Sequence, residues 1–163
     1  MLLSTFVLTV VIDLTVAVEV GMALAALFFI TRVSGLTEVI EITPAGSAAG
    51  VRAYALFGSL FFGSASKVEP LLALAEPADP ARVVVLEMHK TINVDTTGLD
   101  MLETLHRRLA QNGKALVIAG ANEQPLSLFR RSGFTERLGS DNLVAEIPAA
   151  MAHAKALLER RDR

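Results

Sequence analysis

The sequence contains no cysteine and no tryptophan, and only one tyrosine among its 163 residues. Without cysteine the fold cannot depend on disulfide bonds, and thiolate metal sites are excluded. The net charge is −2 at neutral pH, and the basic residues are scattered, apart from pairs such as Arg107-Arg108 and Arg130-Arg131. A protein that binds nucleic acid needs a concentrated basic face, so we predict no nucleic-acid partner.

Positive charge is also lacking at the N-terminus, where the first basic residue is Arg32. Before it the only charged residues are Asp13 and Glu19, within an otherwise apolar stretch. Three structures fit this pattern: one tilted membrane-spanning helix, two short half-membrane helices within a larger bundle, or an apolar helix in a soluble core. Acids inside a membrane normally face protein or water. We predict that residues 1–32 form a terminal transmembrane segment with Asp13 and Glu19 as membrane-embedded acids.

The residues that follow predict a linker and then a compact domain. Residues 33–50 contain a flexible Pro-Ala-Gly-Ser stretch and are assigned as linker, although alternation over Leu36–Thr43 favours a short strand. The domain is predicted over residues 51–163. Its start, Val51–Phe62, is predicted to form two strands that turn at Gly58.

Strands and helices alternate through the rest of the domain. The predicted elements are a helix over Ser64–Ala75, a strand over Arg82–Leu86, a helix from Asp95 to the stop at Asn112-Gly113, a strand over Lys114–Ala119, a helix over Gln124–Ser132, a strand over Leu143–Ile147 and a final helix from Pro148. Such alternation is typical of an α/β fold. We expect a central, mostly parallel β-sheet with flanking helices and an antiparallel hairpin at its start.

The candidate site is the loop Asp95-Thr96-Thr97-Gly98, which joins a buried strand to a helix. Hydroxyls and backbone N–H donors at a helix start can hold an anion or accept a phosphate. The same residues also fit helix capping, either by Asp95 or by Thr97 with Asp100. This regulatory or contact loop therefore has three interpretations: it only caps the helix, it forms a contact surface, or it is a phosphorylation switch.

Motifs for catalysis and cofactors are lacking. His89, His106 and His153 do not have the spacing of metal ligands, and no nucleophile-elbow or phosphate-loop pattern occurs. We therefore predict no enzyme, no metal and no cofactor.

Several stretches together resemble the STAS domain at the C-terminus of a SulP-type (sulfate permease-like) anion transporter. They are Phe57–Ala65, Val83–Leu86, Asp95–Leu99, Ala119-Gly120, Ser132-Gly133-Phe134, Leu138-Gly139, Asp141-Asn142-Leu143 and the apolar Val11–Gly21 with its two acids. The order of these stretches carries the resemblance more than any one of them.

The resemblance implies a regulatory and structural role in the cytoplasm, beside a transporter domain in the cell (inner) membrane that these residues do not include. The chain would not transport sulfate, bicarbonate or dicarboxylates alone. Expected partners are that membrane domain, a second copy in a homodimer, and a regulatory protein. STAS domains also occur as anti-sigma-factor antagonists, where a kinase phosphorylates the hydroxyl after the loop aspartate. That alternative makes Thr96 the candidate phosphoacceptor.

Overall fold

The computed structural model describes residues 2–11, 14–34, 37–61 and 65–161. The chain divides into two compact units, Met1–Gly35 and Leu36–Arg163. The division predicted from the sequence, into a membrane segment over residues 1–32, a linker over 33–50 and a domain over 51–163, stays a prediction.

The N-terminal unit contains two helices that contact each other, α1 (Leu2–Val11) and α2 (Leu14–Ser34). Their large apolar side chains are mostly exposed, among them Phe6, Phe28 and Phe29. Among the residues with described positions, no helix combines the length and apolar character needed to cross a membrane. The transmembrane segment predicted for residues 1–32 is therefore not shown. Of its two acids, Glu19 is an exposed residue of α2, and Asp13 lies outside the described residues.

The second unit is built on a mixed β-sheet. Its strands are β1 (Glu38–Ile42), β2 (Val51–Leu60), β3 (Val83–Glu87), β4 (Thr91–Val94), β5 (Ala115–Ala119) and β6 (Leu143–Val144). The order is β1-β2-β3-β5-β6, and β4 pairs with the far end of β2. Only β1 runs antiparallel to its neighbour among these strands. The predicted α/β class is confirmed.

Helices cover both faces of the sheet. They are α3 (Ala65–Leu72), α4 (Thr96–Gln111), α5 (Glu123–Arg131), α6 (Phe134–Leu138) and α7 (Ile147–Arg161). One core lies under α3 to α6 and includes Leu86, Leu102 and Phe129. The other lies under α7, where Val85 and Val117 meet Ala154. A strand buried on both faces needs apolar residues at every position, which explains the unbroken run Val83–Leu86.

The predicted hairpin within Val51–Phe62 is wrong. Residues 51–60 form one long strand, and Gly58 (φ 83°) lies at a bulge, where the partner of β2 changes from β3 to β4. The backbone N–H of Gly58 donates to Lys90 O at 3.1 Å. The antiparallel pair is instead β1 with β2, so a strand inside the range assigned to the linker completes the sheet.

Candidate functional site

The candidate loop begins at Asp95, which caps α4. Its backbone is extended, and its carboxylate accepts a hydrogen bond from Gly98 N at 2.8 Å. Its carbonyl accepts from Leu99 N at 2.9 Å, and its own N–H donates to Leu60 O at 3.0 Å. Of the two capping residues that the sequence allowed, the structure therefore uses Asp95 and not Thr97. Asp95 ties the helix start to the end of β2 and satisfies a donor that the first turn leaves open.

Gly98 is required at this point by close packing. A Cβ atom there would lie 2.6 Å from Leu60 O and 2.9 Å from Leu60 Cβ, closer than side-chain carbons approach such atoms. The absence of a side chain lets the first turn of α4 rest directly on the end of β2. The loop and the strand end are thus one packed unit.

Thr96 and Thr97 occupy the first turn of α4 with exposed side chains. Ile92, three positions before Asp95, is 72% exposed, although it belongs to strand β4. Two hydroxyls and an apolar side chain thus lie in the exposed segment around the helix start. These side chains form part of the solvent-exposed surface of the domain.

Two amide side chains at the start of α5 fix the strand that leads into the loop. Gln124 accepts from Val94 N at 2.9 Å and donates to Val94 O at 3.0 Å. Asn122 donates from Nδ2 to His89 O at 2.9 Å and to Thr91 O at 2.8 Å. Neither residue was predicted from the sequence as part of the site. The available signal was their place just after β5, since the carboxyl ends of parallel strands share one edge of the sheet.

The histidines are not brought together with the loop for catalysis. The backbone N–H of His89 donates to Glu87 Oε1 at 2.8 Å, and its side chain is exposed. His106 Nε2 lies 3.0 Å from Arg137 O, and His153 Nε2 lies 2.9 Å from Asn142 Oδ1. Within the described part of the chain no group of three metal-binding side chains occurs.

A mixed sheet in this strand order, with a capped helix start following β4, defines the class of this α/β domain. The family model of the STAS domain matches residues 45–148. The chain therefore belongs to the STAS domain family.

The relatives of this chain are described as sulfate transporters. YvdB of Bacillus subtilis (strain 168), whose name places it among the sulfate transporters, is 32% identical over 146 residues. That match covers 86% of this chain and 27% of YvdB, so the chain spans about a quarter of the length of this relative. A sulfate transporter family protein from Wolinella succinogenes has a crystal structure that is 29% identical, with a TM-score of 0.61. That likeness covers 72% of this chain and 92% of the other.

Two further structures share the fold at lower identity. The murine anion transporter Slc26a9 has a TM-score of 0.72 at 18% identity, covering 94% of this chain and 28% of that one. An anti-sigma factor antagonist from Mycobacterium paratuberculosis has a TM-score of 0.59 at 13% identity, covering 72% of this chain and 95% of that one. The fold alone therefore does not separate the transporter interpretation from the signalling one.

Proposed function

We propose that this chain is the C-terminal part of a SulP-type inorganic anion transporter, in which residues 36–163 form a regulatory and structural domain in the cytoplasm. The observation that carries the proposal is the match to YvdB, which covers more of the chain than the STAS residues 45–148 make up. A domain of the signalling type needs no such extension. The partner is the membrane domain of the same transporter, and the proposal assigns no catalytic role.

The N-terminal unit supports the same proposal through its exposed apolar surface. Leu2, Leu3, Phe6, Phe28 and Phe29 are each between 63% and 89% exposed. Large apolar side chains exposed at this many positions of one small unit favour contact with another protein or with lipid. We propose that α1 and α2 pack within the helix bundle of the transporter in the inner membrane, with Asp13 and Glu19 facing protein rather than lipid.

Fractionation of cells that produce the chain tests this placement. The full chain is expected to stay with the membrane after an alkaline carbonate wash, whereas residues 36–163 alone are expected in the soluble fraction. Recovery of the full chain as a soluble protein would contradict the proposal.

The DNA upstream of the codon for Met1 gives a second test, because a transporter gene has an in-frame membrane-encoding region there. An independent promoter beside a kinase-like gene would favour the signalling alternative.

We further propose that the loop Asp95–Gly98 is the regulatory contact of the domain, with Thr96 as its phosphoacceptor. A phosphate on Thr96 would gain from the N–H groups at the start of α4 but would be repelled by Asp95 beside it. Such a group changes the charge of a contact surface without rebuilding the fold. Transport by the intact protein should change in Thr96→Glu, while Gln111→Glu, at the exposed far end of α4, serves as the charge-matched control. Equal transport in Thr96→Ala, Thr96→Glu and the parent would contradict the switch.

A further inference from the structure

Strand β1 lies at the edge of the sheet and pairs with β2 on one side only, among the strands that the structure describes. Its sequence, Glu-Val-Ile-Glu-Ile, contains three β-branched residues and no proline or lysine. Natural edge strands usually carry a proline, a lysine or a bulge that discourages further pairing. The register of β1 against β2 runs without a shift from Glu38 to Ile42. This edge is therefore a regular template for another strand.

The side chains of β1 differ in what covers them. Val39 packs against the core under α3 to α6, and Ile42 packs against the core under α7. Ile40, at the centre of the strand, is 44% exposed and stands opposite Ala55 of β2. The strand thus presents an apolar side chain at its midpoint.

A groove continues this apolar surface across the sheet. It begins where α7 starts, and its polar lining consists of Thr43, Glu87, His89, Lys90 and Glu146. Its apolar lining includes Ile42, Pro44, Ala55, Phe57, Ile147 and Pro148. The end of the sheet nearest Ile40 therefore lies beside an apolar surface that α7 leaves open.

We propose that β1 pairs antiparallel with β1 of a second copy of this chain, about a two-fold axis through Ile40. This inference rests on the proposed function, from which a homodimer is expected, and it adds the surface through which the two copies pair. In this register Ile40 faces Ile40, Glu38 faces Ile42, and Val39 faces Glu41 of the other copy. All five residues are paired, and no two like charges stand opposite each other.

In an antiparallel pair, facing side chains lie on the same face of the sheet, so a two-fold axis must pass through a residue of β1. The other axes of this kind give less favourable pairing. An axis through Glu41 places two Glu41 carboxylates opposite each other, and an axis through Glu38 does the same for Glu38, which is destabilising. An axis through Val39 avoids this repulsion but pairs only three of the five residues, and an axis through Ile42 pairs only Ile42 itself. Within its own copy the Glu41 carboxylate accepts from Arg52 Nε and Nη2 at 2.8 Å each, which weakens the repulsion between two copies of Glu41. The axis through Glu41 is disfavoured chiefly because it too pairs only three of the five residues. Charge and length therefore select the axis through Ile40.

The absence of cysteine makes the register directly measurable by single-cysteine cross-linking of the full chain in detergent. Facing Cα atoms in an antiparallel pair lie about 4.5–5.5 Å apart, within the range of a disulfide. Ile40→Cys is therefore expected to give a covalent dimer under mild oxidation. Glu38→Cys should not, because the two positions would lie about 13 Å apart along the strands. The double variant Glu38→Cys/Ile42→Cys should cross-link again, because these two positions face each other.

Thermal melting of each variant before oxidation establishes that it is folded. Dimer formation by Glu38→Cys at the rate of Ile40→Cys would overturn the register. A chain that is dimeric by light scattering but is not cross-linked by Ile40→Cys or the double variant would overturn the interface. Either result would leave membrane fractionation unaffected, so the failure of this inference is distinguishable from failure of the proposed function.

Discussion

The side-chain amide of Gln124 bonds both backbone polar groups of Val94, accepting from its N–H at 2.9 Å and donating to its carbonyl at 3.0 Å. Gln124 thereby occupies the place that a neighbouring strand would take beside β4. Val94 directly precedes Asp95, so the start of α5 holds the residue from which the candidate loop begins. The hydrogen bonds between Gln124 and Val94 therefore link the position of the loop to that of α5.

Replacement of Gln124 should loosen the loop. Gln124→Ala removes both hydrogen bonds and is expected to lower the free energy of unfolding by about 1–2 kcal/mol. Gln124→Glu keeps the acceptor but loses the donor at neutral pH. Hydrogen exchange of the Val94 amide should quicken in both variants, and more in Gln124→Ala. Gln111→Ala, on the exposed end of α4, is the control. An unchanged Val94 exchange rate in Gln124→Ala would contradict the role of Gln124 in holding Val94.

Gly98→Ala tests the contact between the start of α4 and Leu60. The added Cβ cannot be accommodated 2.6 Å from a backbone oxygen, so the helix must move away from β2. We expect this overpacking to lower the free energy of unfolding by about 1–3 kcal/mol, which denaturant unfolding would measure. Thr97→Ala, on the exposed side of the same turn, should change stability by less than about 0.5 kcal/mol. Equal stability of the two variants would contradict the packing described.

Lys114 carries a structural charge in the core. It is 7% exposed, and its Nζ donates to the carbonyls of Leu74, Glu76 and Asp79 at 2.7, 2.6 and 2.9 Å. All three ammonium donors are used, which closes the turn after α3 against the start of β5. Lys114→Met should lower the free energy of unfolding by about 2–3 kcal/mol, because it leaves these carbonyls without their donor. Lys155→Met, at an exposed position of α7, is the control and should be nearly neutral.

The pair Glu41–Arg52 should give the domain an acid-dependent component of stability. The hydrogen bond from Arg52 holds the pKa of Glu41 below its ordinary value, and the Glu41 carboxylate in turn raises the pKa of Arg52. Since the pKa of Glu41 is lowered by folding, its contribution is present at neutral pH. That contribution is lost as the pH falls through the folded pKa, below the ordinary carboxyl range. The Glu41→Gln variant should therefore show a shallower fall in stability over that acidic range.

Urea unfolding at a series of pH values measures this effect. If the free energy of unfolding fell equally steeply with pH in Glu41→Gln and in the parent, the role of this pair would be contradicted. Glu159→Gln, at an exposed position of α7, is the control for the general effect of removing a carboxylate. The difference between the variants should be small, because Glu41 and Arg52 are both partly exposed to solvent.

Periodicity and capping signals predicted the elements whose local sequence agrees with the fold. Helix α4 begins after Asp95 and is followed by Asn112 and Gly113, as the cap residues indicated. Strand β4 was not assigned from the sequence, because Thr-Ile-Asn-Val is short and becomes a strand only by pairing with the end of β2. The single strand 51–60 was split in the prediction, because Gly58 suggests a turn when its second partner strand is not known.

The sequence located the loop before α4, but not the side chains that hold it. The position and exposure of Thr96 follow from a strand-to-helix loop with a capping aspartate. Asn122 and Gln124 were missed because they act on backbone groups about 30 residues earlier in the chain, which only the topology of the sheet brings beside them. Lys114 gave no signal either, because a lysine at the start of a strand is ordinarily exposed.

Anion uptake by a chimera tests the central proposal most directly. Residues 36–163 would replace the matching C-terminal region of the Bacillus relative, in cells that lack their own sulfate uptake. The account predicts uptake of labelled sulfate comparable to that of the parent protein, and none by this 163-residue chain alone. A chimera that reaches the membrane at parental abundance but gives no uptake, beside a parent that transports, would contradict the account.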